Sequence, residues 1–105
     1  MLETLHKDPG DESERDIEYA DYLDSFGGGV VGTFAIEVES ASDGDISGLE
    51  LGPGSHPDYS IITDTRVKVW VGGGVSGTTY TLKATADLGS VGIWVDRFKV
   101  RVRNR

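Results

Sequence analysis

The chain predicts an all-β fold, an antiparallel β-sandwich of about six to seven strands, and two observations carry that prediction. First, apolar and polar residues alternate with period two in several short segments, most cleanly in the last third of the chain. Second, glycine is abundant (15 residues) and proline scarce (3), and most glycines fall between the alternating segments. Glycines in those positions supply turns between strands, which a helical fold does not need.

Residues 1–15, which include Lys7-Asp8-Pro9-Gly10 and Asp11-Glu12-Ser13-Glu14-Arg15, are polar and aperiodic. They are expected to form a flexible acidic N-terminal arm preceding a domain over residues 16–105. Asp16–Ala20 alternates as a first strand. Tyr22, Leu23 and Phe26 then recur at helical spacing, with Asp21 placed as an N-cap, predicting one short turn of helix. After Gly27-Gly28-Gly29, Thr33–Glu39 places Phe34, Ile36 and Val38 on one face of a half-buried strand. Ser40–Asp45 is a turn whose tightest point is Asp43-Gly44. Ile46–Leu51 reads as a weaker strand, Gly52–Pro57 as a loop and Tyr59–Ile62 as a short strand.

The later strands are sharper. Val67, Val69 and Val71 share one face of Thr65–Val71, opposite Arg66, Lys68 and Trp70. Tyr80, Leu82, Ala84 and Ala86 share one face of Thr78–Asp87. Phe98, Val100 and Val102 point inward, with Arg97, Lys99, Arg101 and Arg103 outward. Tyr80 stands at the start of the penultimate strand, two residues before buried Leu82. Immunoglobulin-like sandwiches place a tyrosine corner there, its hydroxyl bonded back to the preceding loop. The predicted sandwich is therefore Ig-like.

Composition narrows the function. With 105 residues the chain forms one small domain. It has no cysteine, which removes disulfides and thiolate metal sites and fits assembly inside a cell. Met1–Pro9 has neither a basic leader nor a long apolar run, so no signal peptide is expected, and no segment reaches the length of a membrane span. The net charge of −8 is unevenly spread. Residues 1–64 hold 16 acids and 2 bases (−14), and residues 65–105 hold 2 acids and 8 bases (+6). The acidic half would repel phosphates, which argues against nucleic acid as a partner. The basic end is suited to an acidic protein surface, including the acidic half of a neighbouring copy; the plainer reading is a solvated strand face.

Chemical motifs are weak. Gly27/Gly29/Gly32 and Gly72/Gly74/Gly77 both fit G-x-G-x-x-G, but each runs into strand-patterned sequence where a phosphate site needs a helix N-terminus. Asp43 and Asp45 lack the later ligands of a calcium loop. His6 and His56 have no neighbours at zinc-ligand spacing, and Ser55-His56 lacks a nucleophile elbow. No catalytic residue, metal site or cofactor is therefore expected. The aromatics Tyr19, Tyr22, Tyr59, Trp70 and Trp94 say more: Trp70 shares the face of Arg66 and Lys68, Trp94 is expected on the outward or edge side of its strand, and Trp beside Arg is a common composition at interface centres; either Trp closing one end of the core, or a bulge switching face, is the competing reading.

Three features in sequence give a family resemblance: Lys7-Asp8-Pro9 followed by Tyr19-Ala20-Asp21-Tyr22-Leu23; then Val69-Trp70-Val71-Gly72-Gly73 and Gly77-Thr78-Thr79-Tyr80-Thr81; and a final Asp96-Arg97-Phe98-Lys99-Val100-Arg101-Val102. In order and spacing they resemble small tailed-bacteriophage virion proteins of the fiber–tail adaptor type. Residues 40–62 depart from that pattern, with an extra loop at Gly52–Pro57, and Phe34 stands where a Trp would be usual. The resemblance implies a non-enzymatic virion structural protein that joins tail and fiber or neck components as a symmetric homo-oligomer. Its expected partners are other phage structural proteins, with no nucleic acid and no membrane. The residues expected to make protein contacts are Tyr19, Tyr22, Leu23 and Phe26 on one surface and Trp70, Arg97, Lys99 and Arg101 on another. Two alternatives stay open. One is a capsid decoration protein. The other is an Ig-like carbohydrate- or cell-binding module, which would present Trp70 or Trp94 as a sugar platform.

Overall fold

A computed structural model describes residues 4–25 and 27–103. It is an all-β sandwich of two four-stranded sheets. The strands are β1 (Leu5–Lys7), β2 (Ser13–Glu18), β3 (Thr33–Ala41), β4 (Leu49–Leu51), β5 (Tyr59–Thr63), β6 (Arg66–Gly73), β7 (Thr79–Asp87) and β8 (Ile93–Val102). One helix, α1 (Ala20–Asp24), follows β2. The first sheet runs β1-β8-β7-β3, and the second runs β2-β6 with β4 and β5 both on the far side of β6. All neighbours are antiparallel except β1 and β8, which are parallel.

The order is that of an immunoglobulin-type sandwich, with β3-β7-β8 in one sheet and β2-β6 in the other. The expected alternation is realised residue by residue. Val67, Val69 and Val71 from β6 meet Tyr80, Leu82, Ala84 and Ala86 from β7 and Phe98, Val100 and Val102 from β8, all buried between the sheets. The corner at Tyr80 is present. Its ring is buried and its hydroxyl accepts a hydrogen bond from the Val75 N–H, at 3.0 Å. That bond ties the β6–β7 connection to the floor of the core.

Four local expectations are corrected. The stretch expected to be a free arm carries β1 and the first half of β2. Leu5 and Lys7 turn inward at the registers of Val100 and Val102, and Lys7 is itself buried. Its ammonium donates to the carbonyls of Asp8 and Gly73, which explains how a charge sits there. Asp8-Pro9-Gly10 then turns the chain from one sheet to the other, with the Asp8 carboxylate accepting from the Gly10 N–H. The first long strand begins at Ser13, three residues before the expected start, because Glu14 and Asp16 point outward to Lys68 while Arg15 turns inward over the Phe98 ring. The helix starts at Ala20 with Tyr19 as its N-cap, so Asp21 is not the cap; the Glu18 carboxylate accepts from the Ala20 N–H instead.

The fourth correction concerns the middle of the chain. Ile46–Gly48 forms a 3-10 turn, its start capped by the Asp45 carboxylate, and only Leu49–Leu51 is strand. β4 pairs with Val71–Gly73 and β5 with Arg66–Val69, so the two are successive parts of one edge interrupted by residues 52–58. Adding β1 gives eight strands among the described residues where six or seven were expected.

Candidate protein-interaction faces

The outer face of the β1-β8-β7-β3 sheet carries most of the exposed positive charge. Strand alternation puts Arg97, Lys99 and Arg101 there, beside Lys83 of β7 and Glu37 and Glu39 of β3. The three expected basic residues are not equivalent. Arg97 reaches across β7, and its Nε donates to both carboxylate oxygens of Glu39, at 2.9 and 3.1 Å. That pairing holds the Glu39 carboxyl below its ordinary range. Lys83 lies 3.8 Å from Glu37. The side chains of Lys99, Arg101 and Arg103 have no hydrogen-bond or ion-pair partner among the described residues. Among the described residues, the exposed cations without a side-chain partner thus lie at the end of β8 and just past it, where His6 of β1 lies in register with Arg101.

The opposite sheet is neutralised internally. Arg66 pairs with Glu18 at 2.9 Å, and Lys68 with Glu14 at 3.4 Å and Asp16 at 3.8 Å. Glu18 sits below the ordinary carboxylate range, chiefly through hydrogen bonding from the Thr65 side chain, which outweighs partial burial, with Arg66 adding to it.

Trp70 belongs to this second face, as its parity requires, but it is not the exposed platform that an interface Trp would be. The interruption between β4 and β5 folds back over it. The Gly52 N–H donates to the Trp70 carbonyl, the Trp70 N–H donates to the Asp58 carbonyl, and the His56 ring stacks on the indole at 5.4 Å with planes 7° apart. The Gly/Pro-rich loop between β4 and β5 is therefore the lid of Trp70. Trp94 is half-buried on the core side of β8 and packs against Tyr22 of α1, ring centroids 4.1 Å apart.

The expected surface at Tyr19–Phe26 is also redistributed. Tyr19 and Leu23 are buried in the core, and Tyr22 is half-buried against Trp94, so these residues anchor α1 rather than offer it. Helical spacing correctly groups Tyr22 and Leu23 but cannot say whether the group faces a partner or its own core. Phe26 lies outside the described residues. One feature went unseen in the sequence: Lys7 is a buried tie, detectable only once it is paired with Val102. The short strand expected at Tyr59–Ile62 is present as β5, and it exposes Tyr59, Ile61 and Ile62.

Among the described residues, no three His, Cys, Asp or Glu side chains gather as a metal site, and no helix is long and apolar enough to cross a membrane. Two packed sheets, internally paired outer charges and one strip of free cations define a β-sandwich structural module. The chain belongs to the family described as podophage GP4 fiber-tail adaptor protein gp77, whose model matches residues 7–101. No curated protein and no solved structure matches the chain. The match starts at Lys7 and ends at Arg101, so it spans every strand from the end of β1 into β8. Family membership carries a structural adaptor role in the phage virion, in contact with other tail or fiber proteins.

Proposed function

We propose that this chain is a non-enzymatic connector that joins tail and fiber components, acting in several copies within the virion. The family match over residues 7–101 carries this reading. The charge distribution supports it. Lys99, Arg101 and Arg103 stand free on one side while acidic side chains dominate residues 1–64, so one copy offers what another lacks. Heterologous contacts of that kind close into rings when the rotation between copies allows. Within this reading Lys99 and Arg101 make intermolecular contacts, and Arg97 positions the strip through its bond to Glu39.

The decoration-protein reading has no observation in its favour beyond those shared with any virion sandwich. The glycan-binding reading loses its platform, because Trp70 lies under His56 and Trp94 packs against Tyr22. Deleting the chain from the phage tests the proposal. Particles with filled heads and tails but no fibers are expected, whereas fibered, infectious particles would overturn it.

A further inference from the structure

One end of the sandwich gathers exposed aliphatic side chains. Backbone bonds tie its connections together. The Tyr19 N–H, at the start of α1, donates to the Thr65 carbonyl at 2.8 Å, the Val31 N–H to the Asp64 carbonyl at 2.7 Å, and the Gly32 N–H to the Asp87 carbonyl at 2.8 Å. α1, residues 27–32, the turn from β5 to β6 and the connection from β7 to β8 therefore form one surface. Ile93 stands on it at 69% exposure, Val30 at 50% and Ile62 at 48%. Ile93 lies in register with Asp87, while Val30 precedes Val31 and Ile62 lies two residues before Asp64, so all three adjoin those bonds. Other exposed apolar side chains are placed differently. Tyr59 and Ile61 share the registers of buried Val69 and Val67, which puts them on the core side of β5. Ile46 and Val75 lie at the opposite end, where β7 begins and β8 finishes.

Charge says what covers the patch. Asp21, Asp24, Asp64 and Asp87 are exposed around it. Arg66 is the one cation among the described residues of these segments, and it is bonded to Glu18. The carboxylates of Asp21, Asp24 and Asp64 have no partner among the described residues. An apolar centre with an acidic rim selects the reverse arrangement, cations around an apolar centre. A second copy does not offer it among its described residues. Its free cations Lys99, Arg101 and Arg103 lie at the far end of β8 from Ile93 and Val95, and its Ile46 and Val75 sit beside Asp43 and Asp45.

We infer that this end docks a different tail or fiber protein, whose surface sets Lys or Arg side chains around an apolar centre. The inference rests on the connector reading above and adds the end that does the joining; the contact between copies uses Lys99 and Arg101 instead. The platform is fixed from beneath. Tyr19 and Leu23 are buried, and Tyr22 packs on Trp94 with ring centroids 4.1 Å apart, so α1 holds Asp21 and Asp24 in place.

The phage deleted for this chain, supplied with variants in trans, tests the assignment. Val30→Ser with Ile93→Ser removes the apolar centre, and Asp24→Lys with Asp64→Lys reverses the rim. All four side chains are exposed, and thermal unfolding of the purified chain checks that each pair folds. Each pair is expected to lower the number of fibered particles by about tenfold while sedimentation of the purified chain is unchanged. Parental fiber numbers with both pairs would overturn the docking end and leave the connector reading intact. Weakened self-association in either pair would make this end a contact between copies and overturn the inference as well. Fibered particles from the deleted phage itself would overturn the connector reading, and this inference with it. The chain has no cysteine, so Val30→Cys carrying a thiol-linked photocrosslinker reports the neighbour within the particle. Crosslinks to a Lys/Arg-bearing stretch of a different virion protein are expected. Crosslinks confined to a second copy, or none, would overturn the assignment.

Discussion

Tyr80 and Tyr19 are both buried tyrosines, and they differ in what their hydroxyls meet. Tyr80 accepts from the Val75 N–H, so Tyr80→Phe leaves a backbone donor without its acceptor. A loss of about 1–2 kcal/mol is expected in denaturant unfolding, with the fold retained. Tyr19 has no hydrogen-bond partner for its hydroxyl among the described residues, and burial, with the nearby Asp96 carboxylate, pushes its pKa up to about 12. Tyr19→Phe is therefore expected to be neutral or stabilising by up to about 1 kcal/mol. An acid whose folded pKa is raised contributes stability that is complete below its unfolded value, near 10, and is lost as pH rises toward 12. Alkaline unfolding should be shifted upward in Tyr19→Phe, and an unchanged midpoint would contradict this account. Lys7 is the third informative residue. Lys7→Ala leaves the Asp8 and Gly73 carbonyls without their ammonium and should cost about 2–3 kcal/mol in thermal or denaturant unfolding.

Among the elements, β6, β7 and the Asp96–Val102 part of β8 were legible from sequence, whereas Ile93–Val95, with Trp94 on the core side, was not, and the reason is physical. The legible strands have one strictly apolar face against the core, so period-two alternation is strict there, and their inward residues are those the pattern selects. The early elements were less legible. β1 is short, and its inward positions are Leu5 and Lys7, so a buried charge breaks the pattern; β2 turns Arg15 inward beside Ile17 for the same effect. The interruption between β4 and β5 was visible as a Gly/Pro-rich loop, but its role as the cover of Trp70 depends on a non-local register. His56→Ala should therefore uncover the indole, shifting Trp emission to the red with little change in stability; an unshifted spectrum would show that the stack contributes no shielding. One glycine marks a tight approach. Gly74 has φ +97°, and an added Cβ would lie 2.6 Å from a Val102 methyl. Gly74→Ala is expected to destabilise by about 1–3 kcal/mol, read as a lowered thermal midpoint.

For the whole molecule, the −14/+6 division of the sequence is resolved into two kinds of charge. Arg66, Lys68, Lys83 and Arg97 are spent on carboxylates of their own sheet, whereas Lys99, Arg101 and Arg103 are left for a partner. The sequence places all of these on strands but not which cations are already paired, because pairing crosses from β6 to β2 and from β8 over β7 to β3. The adaptor role was legible through ordered motifs, although Lys7, Tyr19 and Tyr80 within them prove to be structural ties. Because only exposed, unpaired cations remain for association, Lys99→Ala with Arg101→Ala should weaken self-association most at low salt, and the difference from the parent should shrink as salt rises. Placement of this chain in the particle is read most directly from a cryo-EM map of the intact phage with the chain located by its fold. Repeated copies where fibers meet the tail are predicted. Copies distributed over the capsid surface, or none in the particle, would contradict the account.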